Sequence, residues 1–433
     1  MAIKVAILGF GEEGRAAYAY FARQGAEITI FDEAPQPKYE VPQGVAFVHG
    51  PDAFAQLMGF DKVLRGSPAI RPDRIQTDGE ITSVTKEFFA ACPSTNIIGV
   101  TGTKGKGTIS TLAYDILKEA GLTAHLAGNV GVPMLAILDE IRPDDVIVLE
   151  LSSFQLWDIE VSPHVAVVGM IEPEHLEVHK DMAEYVAAKA RIARFQAAED
   201  VIIYHPTNEY SASIAQQSAG RKVRYNTAEG AYVKDGALFV GEQEIMAISR
   251  IKIPGHHNVE NICAAVTAAW QFTQSVEAVR RAVSAFAGLE HRLEFVREVD
   301  GVSYYNDSIA TTVGSVAAAI KAFEPAHELL VIGGRYDKGI DFAELAIILA
   351  RMQPKRVLFV GPIGAKIATL AAAQGYTRSE VYEEWTMSDI VQRAAALSEA
   401  GDVVILSPAT ASFGDFTNYK ARGQQFKDTV QSL

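Results

Sequence analysis

The sequence is poor in cysteine, has no long apolar run and carries no excess of positive charge. Cys92 and Cys263 are the only cysteines among 433 residues, and their separation matches no metal-binding spacing. We therefore predict two reduced thiols rather than a disulfide framework or a zinc site. The apolar runs, such as VIVLEL, are too short to span a bilayer. The formal net charge of -14 argues against broad binding to nucleic acids or anionic membranes.

The composition is that of a soluble globular protein. Hydrophobic residues make up 48% and charged residues 21% of the chain. At roughly 150 residues per domain, the length suggests about three domains. The first residues, MAIKVAILGF, run directly into a strand pattern without the layout of a signal peptide. A cytoplasmic location is the expectation, with no membrane insertion, no nucleic-acid partner and a monomer as the default state.

Short apolar runs alternate with helical stretches along the chain. KVAIL is followed by EEGRAAYAYFARQ, IIGVT by TISTLAYDILKEAG, and ELLVIGG by DFAELAIILARM. Such alternation predicts parallel sheets covered by helices. The linker-like stretch 91–96 and the end of a helical pattern near Gly288 divide the chain into segments 1–94, 95–288 and 289–433.

A glycine-rich turn follows the first strand pattern. The segment Gly9–Gly14 leads into a helix, and a second strand pattern ends at Asp32, an arrangement that resembles the dinucleotide-binding fingerprint. Three interpretations stay open: a nicotinamide dinucleotide, another diphosphate such as a UDP-sugar, or helix–strand packing alone. Glu12 and Glu13 suit the helix dipole but would repel a pyrophosphate placed there. The candidate diphosphate-binding residues are Gly9, Gly11, Gly14 and Asp32.

A second glycine-rich turn follows the strand pattern Ile97–Val100. Two glycine–lysine steps precede a helical pattern, and such a turn presents backbone N–H groups and a lysine to phosphates. Lys106 is the expected contact to the β- and γ-phosphates, and Thr108 is an expected Mg²⁺ ligand. The strict Walker spacing fails by one residue, because Val100 stands where its first glycine would fall. The candidate ATP contacts in this turn are Gly102, Thr103, Lys104, Gly105, Lys106, Gly107 and Thr108.

Three further side chains have competing interpretations. Glu150 ends the buried-looking strand pattern that begins at Val146 and is suited to Mg²⁺, which prefers oxygen ligands. Its alternatives are a solvated strand end or a helix-cap contact. By residue type alone, His175 is more typical of a structural residue or helix cap, and Lys189 of a solvent-facing lysine.

Several ordered motifs resemble the Mur ligase family, most closely its D-glutamate-adding branch. They cover nearly the whole chain, which makes them far more specific together than any one alone. The matching segments are Gly99–Lys106, Gly128–Gly131, Leu149–Gln155, Glu174 with His175, Tyr185–Lys189, Gly255–Asn261, His291 with Arg292, Asn306–Thr311 and Ser407–Ser412.

The resemblance implies an α/β protein of three domains. These are a Rossmann-like UDP-substrate-binding domain (1–94), a central P-loop-type ATPase domain with a mainly parallel sheet (95–288), and a Rossmann-like amino-acid-binding domain (289–433). It implies ATP-dependent amide-bond formation through an acyl phosphate, with ATP, D-glutamate and a UDP-sugar peptide, UDP-N-acetylmuramoyl-L-alanine, as substrates. Two Mg²⁺ sites and a carbamylated Lys189 are also implied.

The resemblance assigns roles to residues of this chain. The implied catalytic residues are Lys106, Glu150, His175 and Lys189, and the implied metal ligands are Thr108, Glu150, His175 and Lys189. Asn261, Arg292 and Asp307 would join the second turn in binding ATP. Ser67, Asn129 and Ser152 would join the first turn in binding the UDP substrate. The implied amino-acid-binding residues are Thr311, Lys338, Ser412 and Tyr419.

Some positions depart from the family pattern. Lys104 stands in place of an asparagine, Gly107 in place of a hydroxyl residue, and Ile309 in place of a lysine near the reacting phosphates. The Lys-Gly-hydroxyl order around Lys106 resembles folylpolyglutamate synthase. A related ligase with a different amino acid or acceptor is therefore one alternative, and a weakly active binding protein is another. The second nucleotide turn and the small first domain disfavour a nicotinamide dehydrogenase.

Overall fold

The computed structural model describes residues 2–35, 39–129, 131–323, 325–337 and 339–433. The chain forms two compact units. The first runs to Arg250 and includes Val259–Val283, and the second comprises Ile251–Asn258 and Ser284–Leu433.

Strands and helices alternate through most of both units. The strands are β1 (Lys4–Leu8), β2 (Glu27–Asp32), β3 (Ala46–His49), β4 (Lys62–Arg65), β5 (Glu80–Ser83), β6 (Ile97–Thr101), β7 (Ala124–Gly128), β8 (Val146–Glu150), β9 (Val165–Val168), β10 (Val201–Tyr204), β11 (Arg221–Arg224), β12 (Ala231–Lys234), β13 (Ala237–Val240), β14 (Gln243–Ala247), β15 (Glu294–Val299), β16 (Val302–Asn306), β17 (Glu328–Gly333), β18 (Arg356–Val360), β19 (Ser379–Tyr382) and β20 (Val403–Leu406). The α-helices are α1 (Glu12–Arg23), α2 (Val84–Ala91), α3 (Lys106–Glu119), α4 (Ser153–Leu156), α5 (Met182–Arg194), α6 (Glu209–Ala215), α7 (His256–Ala269), α8 (Val276–Ala285), α9 (Val313–Ala322), α10 (Ala343–Met352), α11 (Gly361–Ala373), α12 (Met387–Leu397) and α13 (Tyr419–Gln431).

The first sheet has five parallel strands in the order β3-β2-β1-β4-β5. Its central strand β1 is buried from Val5 to Leu8, as expected for a parallel strand covered on both faces. Helix α1 buries Gly14, Ala17 and Phe21, and this three- and four-residue spacing places them on one face of the helix. The carboxyl end of β1 therefore delivers the first glycine turn into α1.

The second sheet has six parallel strands in the order β11-β10-β9-β6-β8-β7. All five residues of β6 are buried. Because β8 and β9 flank β6, the ends of these three strands meet at one edge of the sheet, where the second glycine turn lies. A three-stranded antiparallel sheet, β12-β13-β14, follows in the same unit.

One apolar cluster connects the first two sheets within the first unit. It includes Phe21 and Phe88 near the first sheet, and Met134, Leu149 and Leu156 near the second. Burial of this continuous apolar surface holds the two sheets together, since each buried aromatic or aliphatic side chain contributes roughly 1.5–3 kcal/mol.

The second unit contains a six-stranded sheet in the order β15-β16-β20-β17-β18-β19. The edge strand β15 pairs antiparallel with β16, whereas the other pairs are parallel. The predicted α/β class with parallel sheets is confirmed, and the division into three domains stays a prediction. In the part of the chain that the structure describes, no helix is both long and apolar enough to cross a membrane.

Candidate functional site

The second glycine turn connects β6 to α3 in a conformation that favours glycine. Gly105 immediately precedes α3 and has φ of +81°, a region that L-residues with side chains adopt only at a cost. A Cβ at this position would also lie 2.2 Å from Oδ1 of Asn261 in α7. The structure therefore places the side chain of Asn261 against the turn, and Lys106, Gly107 and Thr108 form the first three positions of α3.

Thr103 fixes the turn to its surroundings. Its N–H donates to the carbonyl of Met170 at 2.7 Å. Its hydroxyl lies 2.9 Å from the hydroxyl of Tyr185 and 3.0 Å from the carbonyl of Glu172. Because Tyr185 belongs to α5, the position of the turn depends on that helix.

Two lysine amines meet at the carbonyl of Gly102. Nζ of Lys106 donates to this oxygen at 3.1 Å and to the carbonyl of Thr103 at 2.9 Å. Nζ of Lys189 donates to the Gly102 oxygen at 2.8 Å. Lys189 is 1% exposed, and its amine lies 4.6 Å from the centre of the Tyr185 ring. Lys189 is therefore a buried residue of α5 that contacts the turn, rather than a solvent-facing lysine.

Burial is the largest cause that holds the pKa of Lys189 well below its usual value. The charge of Lys106 lowers this pKa further, whereas Glu174 and Glu150 raise it. Removing an ammonium group from water disfavours its charged form. This environment therefore favours the neutral form of the Lys189 amine more than water does.

Glu150 presents a buried carboxylate at the second glycine turn. It is 3% exposed at the carboxyl end of β8, and its Oε1 accepts from Nδ2 of Asn129 at 2.7 Å. Its Oε2 is buried and has no hydrogen-bond partner among the described residues. Mg²⁺ at nucleotide sites takes one or two carboxylates together with phosphate oxygens and water, so this oxygen fits such an ion.

His175 lies near the turn on a strained backbone. Its φ is +58°, and its ring packs 4.9 Å from the ring of Phe154. Its Nε2 lies 3.7 Å from Glu174, whose carboxylate also accepts from Nζ of Lys104 at 3.2 Å. No cluster of three or more His, Cys, Asp or Glu side chains able to hold a metal occurs among the described residues.

The first glycine turn brings together most residues predicted to bind the UDP substrate. A Cβ at Gly9 would lie 2.7 Å from Cβ of Ser67, and a Cβ at Gly14 would lie 2.1 Å from the Gly9 carbonyl oxygen. The Asp32 carboxylate accepts from the N–H of Phe10 at 3.0 Å. These contacts show that the glycines permit close backbone packing and that Asp32 braces the turn.

The two acidic residues at the start of α1 point to different partners. The Glu12 side chain accepts from the hydroxyl of Tyr39. The Glu13 carboxylate accepts from Nε2 of Gln155 at 2.6 Å. Burial raises the pKa of Glu13 to about 7, although Gln155 and the charge of Arg65 lower it. Near neutral pH, Glu13 therefore carries only part of the negative charge that the sequence suggested.

The Ser152 side chain caps the start of α4. Its Oγ accepts from the N–H of Gln155 at 3.2 Å, and Oε1 of Gln155 accepts from the N–H of Ser152 at 2.9 Å. This reciprocal capping box satisfies two N–H groups at the helix start. Asn129 is similarly occupied by Glu150, so both predicted UDP-substrate residues of the second sheet support the local structure.

In the second unit, Asp307 is buried at the end of β16. Its Oδ2 accepts from the Ser407 hydroxyl at 2.8 Å, and its Oδ1 accepts from the N–H of Leu293 at 3.2 Å. Burial raises the pKa of Asp307 to about 7, although these hydrogen bonds and the charge of Arg292 lower it. The Arg292 side chain is exposed and available to a ligand.

The residues predicted to bind the amino acid follow neighbouring strand ends of the second unit. The N–H of Ala409 donates to the carbonyl of Ala310 at 2.9 Å, which places the segments before Thr311 and Ser412 side by side. The Tyr419 ring packs edge-on against His291 with 5.8 Å between ring centres. Lys338 lies outside the described residues.

The sequence interpretation missed several arginines that organise these loops. Arg422 is 2% exposed and donates to the hydroxyl and carbonyl of Ser308 and to the carbonyl of Thr410. Arg65 and Arg71 make comparable contacts in the first unit. Charge alone did not single them out, because each has a partner that is distant in sequence: Ser308 for Arg422, Asp158 for Arg65 and Glu184 for Arg71.

Comparisons with known proteins agree with the motifs. Residues 100–269 match the Mur ligase middle domain, and residues 291–410 match the Mur ligase glutamate ligase domain. The UDP-N-acetylmuramoylalanine–D-glutamate ligases of Acetivibrio thermocellus and Clostridium perfringens are 38% and 36% identical to this chain. In both cases the alignment covers 99% of this chain and 96% of the relative.

Solved structures show the same fold at low sequence identity. The UDP-N-acetylmuramate-alanine ligase of Thermotoga maritima aligns over 99% of both chains, with a TM-score of 0.58 and 16% identity. The MurF ligase of Thermotoga maritima, solved in complex with ADP, aligns over 100% of this chain and 96% of its own, with a TM-score of 0.58 and 15% identity. Its full-length relatives and its two matching domains show that this chain belongs to the Mur ligase family of ATP-dependent, amide-bond-forming ligases.

Proposed function

We propose that this chain joins D-glutamate to UDP-N-acetylmuramoyl-L-alanine in the synthesis of peptidoglycan precursors. In this reaction the alanyl carboxylate attacks the γ-phosphorus of ATP, which forms an acyl phosphate and releases ADP. The amine of D-glutamate then attacks the acyl carbon, loses a proton and displaces phosphate. The named function of the relatives at 38% and 36% identity supports this substrate pair.

The observation that carries the proposal is the convergence of Lys106 and Lys189 at the Gly102 carbonyl. Their amines donate to it at 3.1 and 2.8 Å, and Glu150 influences the pKa of Lys189 from nearby. A carboxylate that attacks a triphosphate brings like charges together, and preorganised cations reduce that repulsion. Lys106 supplies such a cation at this turn, whereas Lys189 is the residue proposed below to become an anionic metal ligand.

Individual residues of the turn have separate proposed roles. Lys106 bridges the β- and γ-phosphates, and the N–H groups at the start of α3 bind phosphate oxygens. Lys104 is largely exposed and adds a second cation when it leaves Glu174 for a phosphate. Glu150 and Thr108 would hold Mg²⁺, which neutralises phosphate charge when bound, and His175 with Lys189 would serve a second ion.

We further propose that Lys189 is carbamylated in the active protein. Carbamylation joins an uncharged amine to CO₂ and releases a proton, so the lowered pKa and buried position of Lys189 favour it. The product is an anionic oxygen ligand that suits Mg²⁺. Mass spectrometry of the intact protein at neutral pH with bicarbonate should show the added 44 Da of CO₂ as about one modification per chain; free amine only would contradict it.

The remaining proposed contacts follow the three predicted domains. Residues 1–94 would bind the UDP substrate around Gly9, Gly11, Gly14, Asp32 and Ser67, with Asn129 and Ser152 contributing from 95–288. Asn261, Arg292 and Asp307 would bind the nucleoside of ATP. Thr311, Lys338, Ser412 and Tyr419 of 289–433 would bind D-glutamate. The parallel sheets support this assignment, because ligands of such folds bind beyond the carboxyl ends of the strands.

The proposal is tested by phosphate release from ATP and Mg²⁺. We expect release only when both UDP-N-acetylmuramoyl-L-alanine and D-glutamate are present, with L-glutamate as the matched control for the amino acid. Phosphate release that does not require UDP-N-acetylmuramoyl-L-alanine would rule it out as the acceptor. Release with a different amino acid would keep the ligase reaction but replace D-glutamate as its substrate.

A further inference from the structure

Arg71, which no motif singled out, lies in the loop that follows Ser67 and contacts two segments of the second sheet's domain. One terminal nitrogen donates to the carbonyl of Val178 at 2.9 Å and to Oε2 of Glu184 at 3.0 Å. The other donates to Oε1 of Glu184 at 2.7 Å. Asp73 accepts from the remaining donors at 2.8 and 2.9 Å. The planar guanidinium thus binds Glu184 through two parallel hydrogen bonds, the strongest geometry available to this side chain.

Both segments held by Arg71 lead directly to proposed catalytic residues. Val178 belongs to the turn in which the N–H groups of Val178 and His179 donate to the carbonyl of His175 at 3.1 and 2.9 Å. Glu184 lies in the first turn of α5, next to Tyr185 and on the same helix as Lys189. Tyr185 in turn contacts Thr103 of the phosphate turn.

A stack of aromatic rings provides a second connection to His175. The guanidinium carbon of Arg71 lies 4.8 Å from the centre of the Trp157 ring, and Trp157 lies 4.7 Å from His179. His179 is stacked on Phe154 at 5.3 Å with an interplanar angle of 5°, and Phe154 contacts His175. A cation over tryptophan is a favourable contact, especially when it is partly shielded from water.

We infer that Arg71 is a positioning residue, which holds the turn of His175 and the amino-terminal end of α5 in register with the phosphate turn. The inference rests on the proposed function, since it assigns those two segments to catalysis. It also explains how the loop beside Ser67, on the proposed acceptor side, is tied to the groups that act on ATP. A displacement of about 1 Å at reacting groups can lower a rate by roughly a hundredfold.

The chain offers a matched control for the ion pair itself. Arg393 in α12 donates to both carboxylate oxygens of Glu380 at 2.8 and 2.9 Å. Hydrogen bonding from Arg71 lowers the pKa of Glu184 to about 2, and hydrogen bonding from Arg393 lowers the pKa of Glu380 to about 2. Among the described residues, the Arg393 pair contacts no proposed catalytic segment. Arg393→Gln therefore removes an ion pair with the same two-bond geometry elsewhere, on a more exposed side chain.

The test compares Arg71→Gln, Arg71→Lys and Arg393→Gln in the full chain. We expect Arg71→Gln to speed hydrogen exchange in peptides covering 172–189 and to lower kcat by roughly ten- to a hundredfold, with the KM for D-glutamate unchanged. Arg71→Lys should restore part of kcat, because it keeps the charge but loses the forked hydrogen bonds. Arg393→Gln should leave both the exchange of 172–189 and kcat unchanged.

Wild-type exchange and kcat in Arg71→Gln, or an equal kcat loss in Arg393→Gln, would overturn the inference. If Arg71→Gln does not fold, Glu184→Gln tests the same contact, and faster exchange in 172–189 with lower kcat is again expected. Failure of the proposed function can be told apart from failure of this inference. In the first case, phosphate release by the wild type would not depend on the sugar nucleotide. The hydrogen-exchange result tests the role of Arg71 without requiring turnover.

Discussion

The two glycine-rich turns of the first unit, Gly9–Gly14 and Gly102–Gly105, share one backbone plan and differ in charge. Each follows a buried parallel strand and opens a helix. Helix α1 begins with Glu12 and Glu13, whereas α3 begins with Lys106. The backbone plan supplies N–H groups for an anion in both cases, and the first side chains of the helix decide how much charge that anion can carry.

Burial reduces the difference between the two turns. Glu13 is directed towards Gln155 and has a pKa of about 7, so part of its charge is absent at neutral pH. Lys106 keeps its amine beside the turn by donating to backbone carbonyls. The comparison shows that an acidic residue in a phosphate-binding motif is not evidence against an anionic ligand until its environment is known.

The largest effect should come from the lysine of the second turn. Lys106→Ala removes the cation proposed to bridge the β- and γ-phosphates, and we expect kcat to fall by about 10²–10³-fold, as for the loss of one preorganised donor. The measurement is phosphate release at saturating substrates. Lys118→Ala, at the exposed far end of the same helix, is the control and should retain full activity. Near-normal turnover of Lys106→Ala would show that this turn does not bind ATP.

Alanine at the positive-φ glycine of each turn should separate their ligands. Gly105→Ala meets Asn261, and Gly9→Ala meets Ser67, in addition to about 1–2 kcal/mol of backbone strain. We expect a roughly tenfold higher KM for ATP in the first variant and for the sugar nucleotide in the second. Gly121→Ala has a similar φ of +82° but nothing within 4 Å, so it controls for strain alone. If each variant raised the KM values for ATP and for the sugar nucleotide equally, the two turns could not be assigned to different substrates.

Glu13→Gln should alter the pH dependence of sugar-nucleotide binding. A raised carboxyl pKa means that the folded protein favours the neutral form, so stability falls as pH rises from about 4.5 through about 7. Above pH 7 the wild type gains a negative charge at the first turn, and its affinity should fall several-fold between pH 6 and 8. Glu13→Gln should bind equally across that window in calorimetric titrations. Glu12→Gln is the adjacent control, and an unchanged pH profile in Glu13→Gln would contradict the proposed effect of burial.

Glu328 in the second unit provides a buried carboxyl with no hydrogen-bond partner among the described residues. Burial raises its pKa to about 8, so its neutral form stabilises the fold relative to the charged form, and stability is lost as pH rises from about 4.5 through 8. Glu328→Gln should therefore increase the free energy of unfolding at pH 9 by about 1–3 kcal/mol, which corresponds to a rise of a few degrees in Tm. At pH 5 little change is expected. Equal destabilisation of the variant at both pH values would show that the buried charge of Glu328 is not what lowers stability at high pH. The kcat of the variant should equal that of the wild type.

Local patterns were sufficient to predict the parallel α/β class and both glycine turns. The strand before Gly102 and the helix after it are encoded by neighbouring residues, so their positions follow from periodicity. The same applies to Glu150, which ends a continuous apolar strand. These features require no knowledge of how distant segments pack.

Long-range packing determined what the sequence could not predict. Lys189 looked solvent-facing because its hydrogen-bond partner, the Gly102 carbonyl, lies 87 residues away in the sequence. Arg71 and Glu184 are 113 residues apart, and Glu13 and Gln155 are 142 residues apart. The resemblance had assigned a role to Lys189, but its burial and the contacts of Arg71, Glu184 and Glu13 became visible only once their partners were known.

The two hydrogen bonds of the Gln155 side-chain amide restrict which residues can replace it in related sequences. Its oxygen is committed to the Ser152 N–H and its nitrogen to the Glu13 carboxyl, so its orientation is fixed at both ends. A glutamate at position 155 would preserve the first bond but set two acids against each other. We therefore expect that, in related sequences, residues 13 and 155 change together. A carboxylate at position 13 should occur only where the side chain at position 155 can donate a hydrogen bond to it.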